Sequence, residues 1–309
     1  MYLGIEIGGT KVQVVAGSPA AIVRRWRGRV RPELGGAGIC EQLREAIGLL
    51  LDVPEGGKVR AVGVGFGGPI DTRTGQIRRS HQIAGWENFP LRDWLSELAG
   101  VPVAVDNDAN VAALGETFSG AAIGSDPVFY ATLGSGVGGG LVAGGRIYHG
   151  LPPGESELGH LRLDRSGTTL ESRCSGWAVD ARIRQLAAHE PAGTLARLIG
   201  EVPGAEARHL PQALRLGDPA ARRILEETAQ DLALGLSHVV HLFHPHAIIL
   251  GGGLSLVGEP LRLAVADALQ PMVMPAFLPA PDILLAGLGE DAVPIGALHL
   301  ADQAISATG

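Results

Sequence analysis

The sequence predicts an α/β fold of two lobes. Three observations carry that reading. The chain has 309 residues, 46% of them hydrophobic and 18% charged, which favours two domains with a large core to bury. Apolar strands alternate with stretches of helical spacing, and the pattern restarts near residue 127. Two glycine-rich turns lie far apart, each fed by a strand: Gly4-Ile5-Glu6-Ile7-Gly8-Gly9-Thr10-Lys11 and Thr132-Leu133-Gly134-Ser135-Gly136-Val137-Gly138-Gly139-Gly140.

Taken in order, Tyr2–Ile7 reads as a short apolar strand. Gln13–Ala16 and Ile22–Arg27 follow as strands after the glycine turn. Residues 38–51 place Ile39, Leu43, Ile47 and Leu50 at helical spacing. Arg60–Phe66 reads as a buried strand that ends in Gly67-Gly68-Pro69. Leu91–Ala99 is a helix, Val101–Val105 a strand, and Ala109–Thr117 a helix. After the restart, Pro127–Leu133 is a strand, and Gly140–Ala143 with Gly145–Tyr148 a hairpin. Helices are expected over Gly176–Ala188, Gly193–Gly200, Leu210–Leu216 and Asp218–Leu242. Ala247–Leu250 runs as a strand into Gly251-Gly252-Gly253, Leu261–Leu269 is helical, Asp282–Ala286 is a strand, and Val293–Ala304 is a last helix. The expected division is a small lobe over residues 1–118, with the C-terminal helix 293–309 packed back on it, and a large lobe over 119–292. A ligand is expected in a cleft between lobes.

The net charge of −7 argues against a nucleic-acid partner, which wants a basic face. Cys40 and Cys174 are the only cysteines, too few for a disulfide framework, which fits a reducing cytoplasm. No signal peptide and no run of about 18 apolar residues appears, so neither export nor a membrane span is expected.

Glycine lets the backbone approach a bulky anion and turn its N–H groups toward it. Two such loops suggest a phosphate chain gripped from two sides, and Asp106-Asn107-Asp108-Ala109-Asn110 lies between them in sequence. That layout suits phosphoryl transfer. Gly134-x-Gly136-x-x-Gly139 formally matches a dinucleotide fingerprint, but the residues after it read as a hairpin where the fingerprint needs a helix. No Gly-x-x-x-x-Gly-Lys-Ser/Thr loop is present. The bland alternative for each turn is an ordinary tight hairpin. Lys11 is either a phosphate ligand or a solvated strand residue. Thr10 and Thr132 are placed to touch phosphate or a metal-bound water. An ionised Asp after Val101–Val105 can take the proton of an attacking alcohol, and the following helix dipole is expected to keep it ionised. Asp106 or Asn107 is alternatively a helix cap. His238 and His241, one turn apart, lack a third ligand for a metal. Trp26, Trp86, Trp94 and Trp177 read as packing residues.

Six motifs make the resemblance specific. They are Gly4–Lys11, Gly63–Asp71, Val105–Glu116, Thr132–Gly140, Gly154-Glu155-Ser156-Glu157-Leu158-Gly159-His160, and Ile248–Ser255. Together they resemble, in order and over nearly the whole chain, the ROK family of repressors, open reading frames and sugar kinases. The resemblance implies the actin-like ATPase fold shared with hexokinase and Hsp70, with ATP and Mg²⁺ as cofactors. It implies phosphoryl transfer to the primary hydroxyl of a hexose, with glucose as first choice. N-acetylglucosamine, N-acetylmannosamine, mannose, fructose, or a sugar sensor without turnover are the alternatives. A homodimer or tetramer is implied as well.

Residue by residue, Asp108 matches the catalytic base. Gly68, Asn107, Glu157, His160 and Glu171 match sugar contacts. The nucleotide set is Gly8, Gly9, Thr10, Lys11, Thr132, Gly134, Ser135, Gly136, Gly252 and Gly253. Three departures stand out. Glu6 replaces the usual Asp that reaches Mg²⁺ through water. Gly67 replaces a Pro, which is expected to loosen the sugar turn. The cysteine cluster that binds structural zinc in the family is missing between His160 and Glu171, so no structural zinc is expected.

Overall fold

Alternation of β-branched strands with amphipathic helices builds the expected α/β architecture. The structure, a computed structural model, describes residues 1–51, 57–78, 84–154, 156–200 and 204–306. Glu155 of the fifth motif and the last three residues of the expected 293–309 helix lie outside these.

In chain order the first elements are β1 (Tyr2–Ile7), β2 (Lys11–Ser18), β3 (Ala21–Arg29), α1 (Gly35–Leu51), β4 (Val62–Phe66), β5 (Ile70–Asp71), β6 (Gln76–Ile77), α2 (Leu91–Ala99), β7 (Val103–Asn107), α3 (Asp108–Ser119), β8 (Val128–Leu133), β9 (Val137–Ala143) and β10 (Arg146–Ile147). Then come α4 (Leu170–Cys174), α5 (Gly176–His189), α6 (Thr194–Leu198), α7 (Leu210–Arg215), α8 (Pro219–Phe243), β11 (Ala247–Gly251), α9 (Glu259–Leu269), β12 (Asp282–Leu285) and α10 (Ala292–Ser306). β1 and α2 have the expected bounds. β7 runs two residues further than expected, because its pairing with β4 extends to Phe66↔Asn107. The short helix α4 and the β5–β6 hairpin were not anticipated.

The chain divides into two units. The first is Met1–Gly124, Gly140–Ser156 and Gly287–Gly309, and the second is Ser125–Gly139 and Glu157–Ala286. The boundaries thus fall at Gly124 and Gly287, and a segment of residues 140–156 belongs to the first unit. In that unit the sheet orders β3-β2-β1-β4-β7. β1, β4 and β7 are parallel, with Ile7↔Phe66 and Phe66↔Asn107 in register, so their C-terminal ends come out side by side. α1 buries Ile39, Leu43, Ile47 and Leu50 on this sheet, as their spacing required. Trp86 is buried and stacks on Phe66 at 5.5 Å between centroids. α10 packs on β1, β4 and α3. It comes so close that a Cβ at Gly63 would strike the Ala297 carbonyl. β10 pairs with the end of β9 at Arg146↔Ala143.

In the second unit β8 and β12 flank β11, all parallel, with Thr132↔Gly251 and Leu250↔Leu285 as the last pairs. The long helix α8 starts at the Asp218 cap, whose side chain accepts from the Ala221 N–H at 2.9 Å. Among the described residues no helix is long and apolar enough to cross a membrane.

Candidate active site

In the first unit the candidate residues gather where parallel strands end. β1 ends at Gly8, β4 at Gly67 and Gly68, and β7 at the Asn107-Asp108 junction. Ligands of α/β sheets characteristically sit outside the carboxyl ends of parallel strands. Gly8 N–H donates to the Lys11 carbonyl at 3.0 Å and closes the first glycine turn. Gly67 N–H donates to the Ile7 carbonyl at 2.8 Å. The sequence suggested that glycine here loosens the turn. Instead its N–H, which proline lacks, fastens the β4 turn to β1.

Asn107 is the cap of α3: its Oδ1 accepts from Ala109 N–H at 2.9 Å. Its Nδ2 points to the Gly68 carbonyl at 3.4 Å, so one lone pair of Oδ1 is already used locally. Asp108 opens α3 and its Oδ1 also accepts from Ala109 N–H, at 2.8 Å. The helix dipole was expected to keep this carboxyl ionised. Burial wins instead: desolvation, with the negative charge of Glu6 as a smaller contribution, pushes Asp108 up to about 7 against the pull of the Ala109 N–H. Behind this turn Asp106 is 2% exposed. Its Oδ1 accepts from Asn107 N–H at 2.8 Å and from Asn110 Nδ2 at 2.9 Å, and its Oδ2 lies 2.6 Å from His149 Nε2.

Glu6 is nearly buried, and burial raises its carboxyl above the usual range. Gln13 Nε2 donates to its Oε2 at 2.6 Å, and Lys11 Nζ stands 3.3 Å from its Oε1. Lys11 is therefore paired, which the sequence left open. Gln13 is in turn held by Arg27 at 2.6 Å, and Arg25 forms a two-pronged pair with Asp291 at 2.6 and 2.8 Å. Gly9 is half-buried and Thr10 exposed at the turn.

In the second unit the glycine turn after β8 and the turn after β11 lie side by side, because Thr132 and Gly251 are register partners. Gly252 has φ 79°, and a Cβ there would stand 2.6 Å from the Leu133 backbone. Only glycine fits. Gly253 opens a single-turn helix whose Ser255 Oγ donates to the Gly252 carbonyl at 2.7 Å. Gly134 N–H donates to the Gly136 carbonyl at 2.9 Å, leaving Ser135 at the tip, and Gly176 N–H, at the start of α5, donates to the Gly134 carbonyl at 2.7 Å.

Glu171 sits on α4, which Thr169 and Ser172 close with a reciprocal capping box. Its Oε2 accepts from Val137 N–H at 2.9 Å, so it holds the second glycine turn as well as presenting a carboxylate. Glu157 and His160 flank the buried Leu158. Both are exposed, with His160 Nε2 3.9 Å from Glu157 Oε2, and so are accessible to a polar ligand.

Other candidates resolve plainly. Trp26 and Trp94 pack on the first core, but Trp177, expected to pack, is 70% exposed. His241 accepts from Met274 N–H at 3.1 Å, and His244 stacks on Phe277. No group of three or more His, Cys, Asp or Glu side chains among the described residues is arranged for a metal ion. Burial pushes the Cys174 thiol up to about 12, so it is no nucleophile. Glu116 was missed. Fully buried, it accepts from the N–H groups of Ala121, Gly287 and Leu288 at 2.8–3.0 Å and pins the segment leading into α10. Two of its three partners lie 171 and 172 residues away in the chain, so no local pattern could expose that role.

Comparison with known proteins points the same way. The ROK family pattern matches residues 2–304. A glucokinase of Thermotoga maritima is 32% identical over 316 residues, covering 98% of each chain. A ROK family glucokinase from Streptomyces griseus, solved with glucose and AMPPNP, superposes with a TM-score of 0.83 at 32% identity, over 98% of this chain and 99% of that one. A ROK hexokinase from Thermus thermophilus gives 0.82 at 31%, over 99% of both. The actin-like ATPase fold class expected from the motifs is the one these relatives share. From the first strand to α10, this chain belongs to the ROK family.

Proposed function

We propose that the protein is an ATP-dependent hexose kinase that transfers the γ-phosphoryl group to the primary hydroxyl of glucose. The observation that carries this is the placing of Asp108, a carboxyl at the junction of β7 and α3 whose Oδ2 lies against the Gly67 turn, where burial pushes it up to about 7. A base works best when its pKa lies near the operating pH. Relatives that phosphorylate glucose across the full chain length support the choice of acceptor.

In this reading Asp108 takes the hydroxyl proton as the sugar oxygen bonds to the γ-phosphorus and ADP leaves. Asn107, Gly68, Glu157, His160 and Glu171 orient the hexose. Gly8, Gly9, Thr10 and Lys11, with Thr132, Gly134, Ser135, Gly136, Gly252 and Gly253, hold the nucleotide's phosphates through N–H groups and hydroxyls. Glu6 fits a water-mediated Mg²⁺ contact: Mg²⁺ keeps most of its waters and asks for one or two carboxylates, and Lys11 and Gln13 fix this one in place. When bound, Mg²⁺ neutralises phosphate charge. We place the protein in the cytoplasm on its two buried, free cysteines, and as a homo-oligomer on the family resemblance alone.

The test is ADP release with purified protein and a panel of glucose, mannose, fructose, N-acetylglucosamine and N-acetylmannosamine. Glucose should give the highest kcat/KM. ADP release with none of the five would remove the kinase assignment.

A further inference from the structure

The first unit holds a support for the catalytic turn that neither the motifs nor the comparisons assign. Asp106 is 2% exposed. Among the described residues three groups hold it: Asn107 N–H and Asn110 Nδ2 on Oδ1, and His149 Nε2 on Oδ2. The first two come from its own turn and from the first turn of α3, so they move with it. His149 does not. It follows β10, which the chain reaches more than thirty residues later, and its side chain is 34% accessible. The contact therefore ties the Asp106-Asn107-Asp108 turn to a remote part of the same unit.

We propose that His149 is a positioning residue for phosphoryl transfer, acting through Asp106 on Asn107 and Asp108. The chain of contacts is short. His149 donates to Asp106 Oδ2. Asp106 Oδ1 accepts the Asn107 N–H, which fixes the Asp106–Asn107 peptide, one residue before Asp108. Asn107 Oδ1 and Asp108 Oδ1 then share the Ala109 N–H. A buried carboxylate that loses one of its donors seeks another, and the nearest are those of its own turn. The turn that aims Asp108 would rearrange with it. Small errors in aim at a reacting group carry large rate penalties, and groups that orient a reactive side chain from behind have measurable effects on turnover. His149 also lines a cavity of about 380 Å³ with Ala104, Arg146, Leu300 and Gln303, so a replacement ring has room to settle.

The proposal rests on the kinase reading only for its kinetic arm. The test compares wild type with His149→Phe, which keeps ring volume and removes the donor, and His149→Gln, which keeps an N–H. Two readouts are used. Hydrogen exchange of the segment over residues 106–110 should speed up about tenfold or more in the Phe variant, while β11 stays protected. Steady-state kinetics with glucose should show kcat about tenfold lower in the Phe variant, with KM for ATP within about twofold of wild type, and most of kcat restored in the Gln variant. Unchanged exchange at residues 106–110 in the Phe variant overturns the proposal whatever the activity. So does a loss of kcat that the Gln variant shares in full. If wild type is inactive on every hexose but exchange responds as stated, the support of the turn stands and the kinase assignment falls.

Discussion

The two units end their parallel strands in the same way and equip those ends differently. In the first, the ends of β1 and β7 carry carboxylates: Glu6, Asp106 and Asp108, all at least half-buried and each held by named donors. In the second, the ends of β8 and β11 carry glycines packed so closely that Gly252 leaves no room for a Cβ beside Leu133. In the first, burial raises the Glu6 and Asp108 carboxyls above the usual range. The second offers N–H groups and little side-chain charge. The difference teaches that a shared strand-turn plan can carry buried carboxyls at one set of strand ends and close-packed glycine turns at another, simply by changing the residues placed there.

The sharpest way to break this comparison is to neutralise the base. Asp108→Asn should lower kcat by about 10²–10⁴ while the hexose still binds, read from turnover alongside a direct binding titration. Near-normal turnover would take Asp108 out of its role. The next effect falls on the glycine end. Gly252→Ala places a side chain on positive-φ, extended backbone that is essentially reserved for glycine, which costs about 1–3 kcal/mol, and adds a clash with Leu133. It should raise KM for ATP about tenfold or more and lower Tm. An unchanged KM for ATP would detach this turn from the nucleotide.

A third prediction concerns stability. Asp108 has a raised pKa in the folded chain, so the folded state holds its proton more tightly than the unfolded one. Its ionisation then destabilises the fold, a cost that grows from the ordinary carboxylate range up to about pH 7. Asp108→Asn should therefore be more thermostable than wild type at pH 8, by a few kcal/mol at most, with a smaller gain at pH 5. Equal gains at both pH values would show that the carboxyl is not perturbed. The smallest effect is expected at Glu171. Its replacement by Ala removes one acceptor from Val137 N–H, a loss of about 1 kcal/mol, and should raise KM for ATP severalfold. A rise confined to the hexose would place Glu171 wholly in sugar binding.

How much the sequence made legible depends on locality. β1 and α2 were found to the residue because their apolar spacing is complete within the segment. The glycine turns and the Asp-Asn-Asp run were visible as composition at strand ends. The remainder depends on partners distant in the chain. β7 gains Asp106 and Asn107 only by pairing with β4. α4 is five residues long, too short to show a period, although its Thr169–Ser172 capping box was present to be read. Glu171 meets Val137 across 34 residues, and Lys11, though close to Glu6 in sequence, could be assigned only once the β1–β2 turn brought the two side chains together. The raised pKa of Asp108 is not legible in the sequence, because a helix N-terminus shows there and the burial that works against it does not.

The most direct measurement is the pH dependence of kcat/KM for glucose between pH 5.5 and 8.5, in wild type and in Asp108→Asn. The wild type should lose rate on the acid side with a midpoint near 7, as Asp108 takes up its proton, and the residual activity of the variant should lack that limb. A wild-type profile flat across the range, or an acid limb that survives in the variant, would contradict the account.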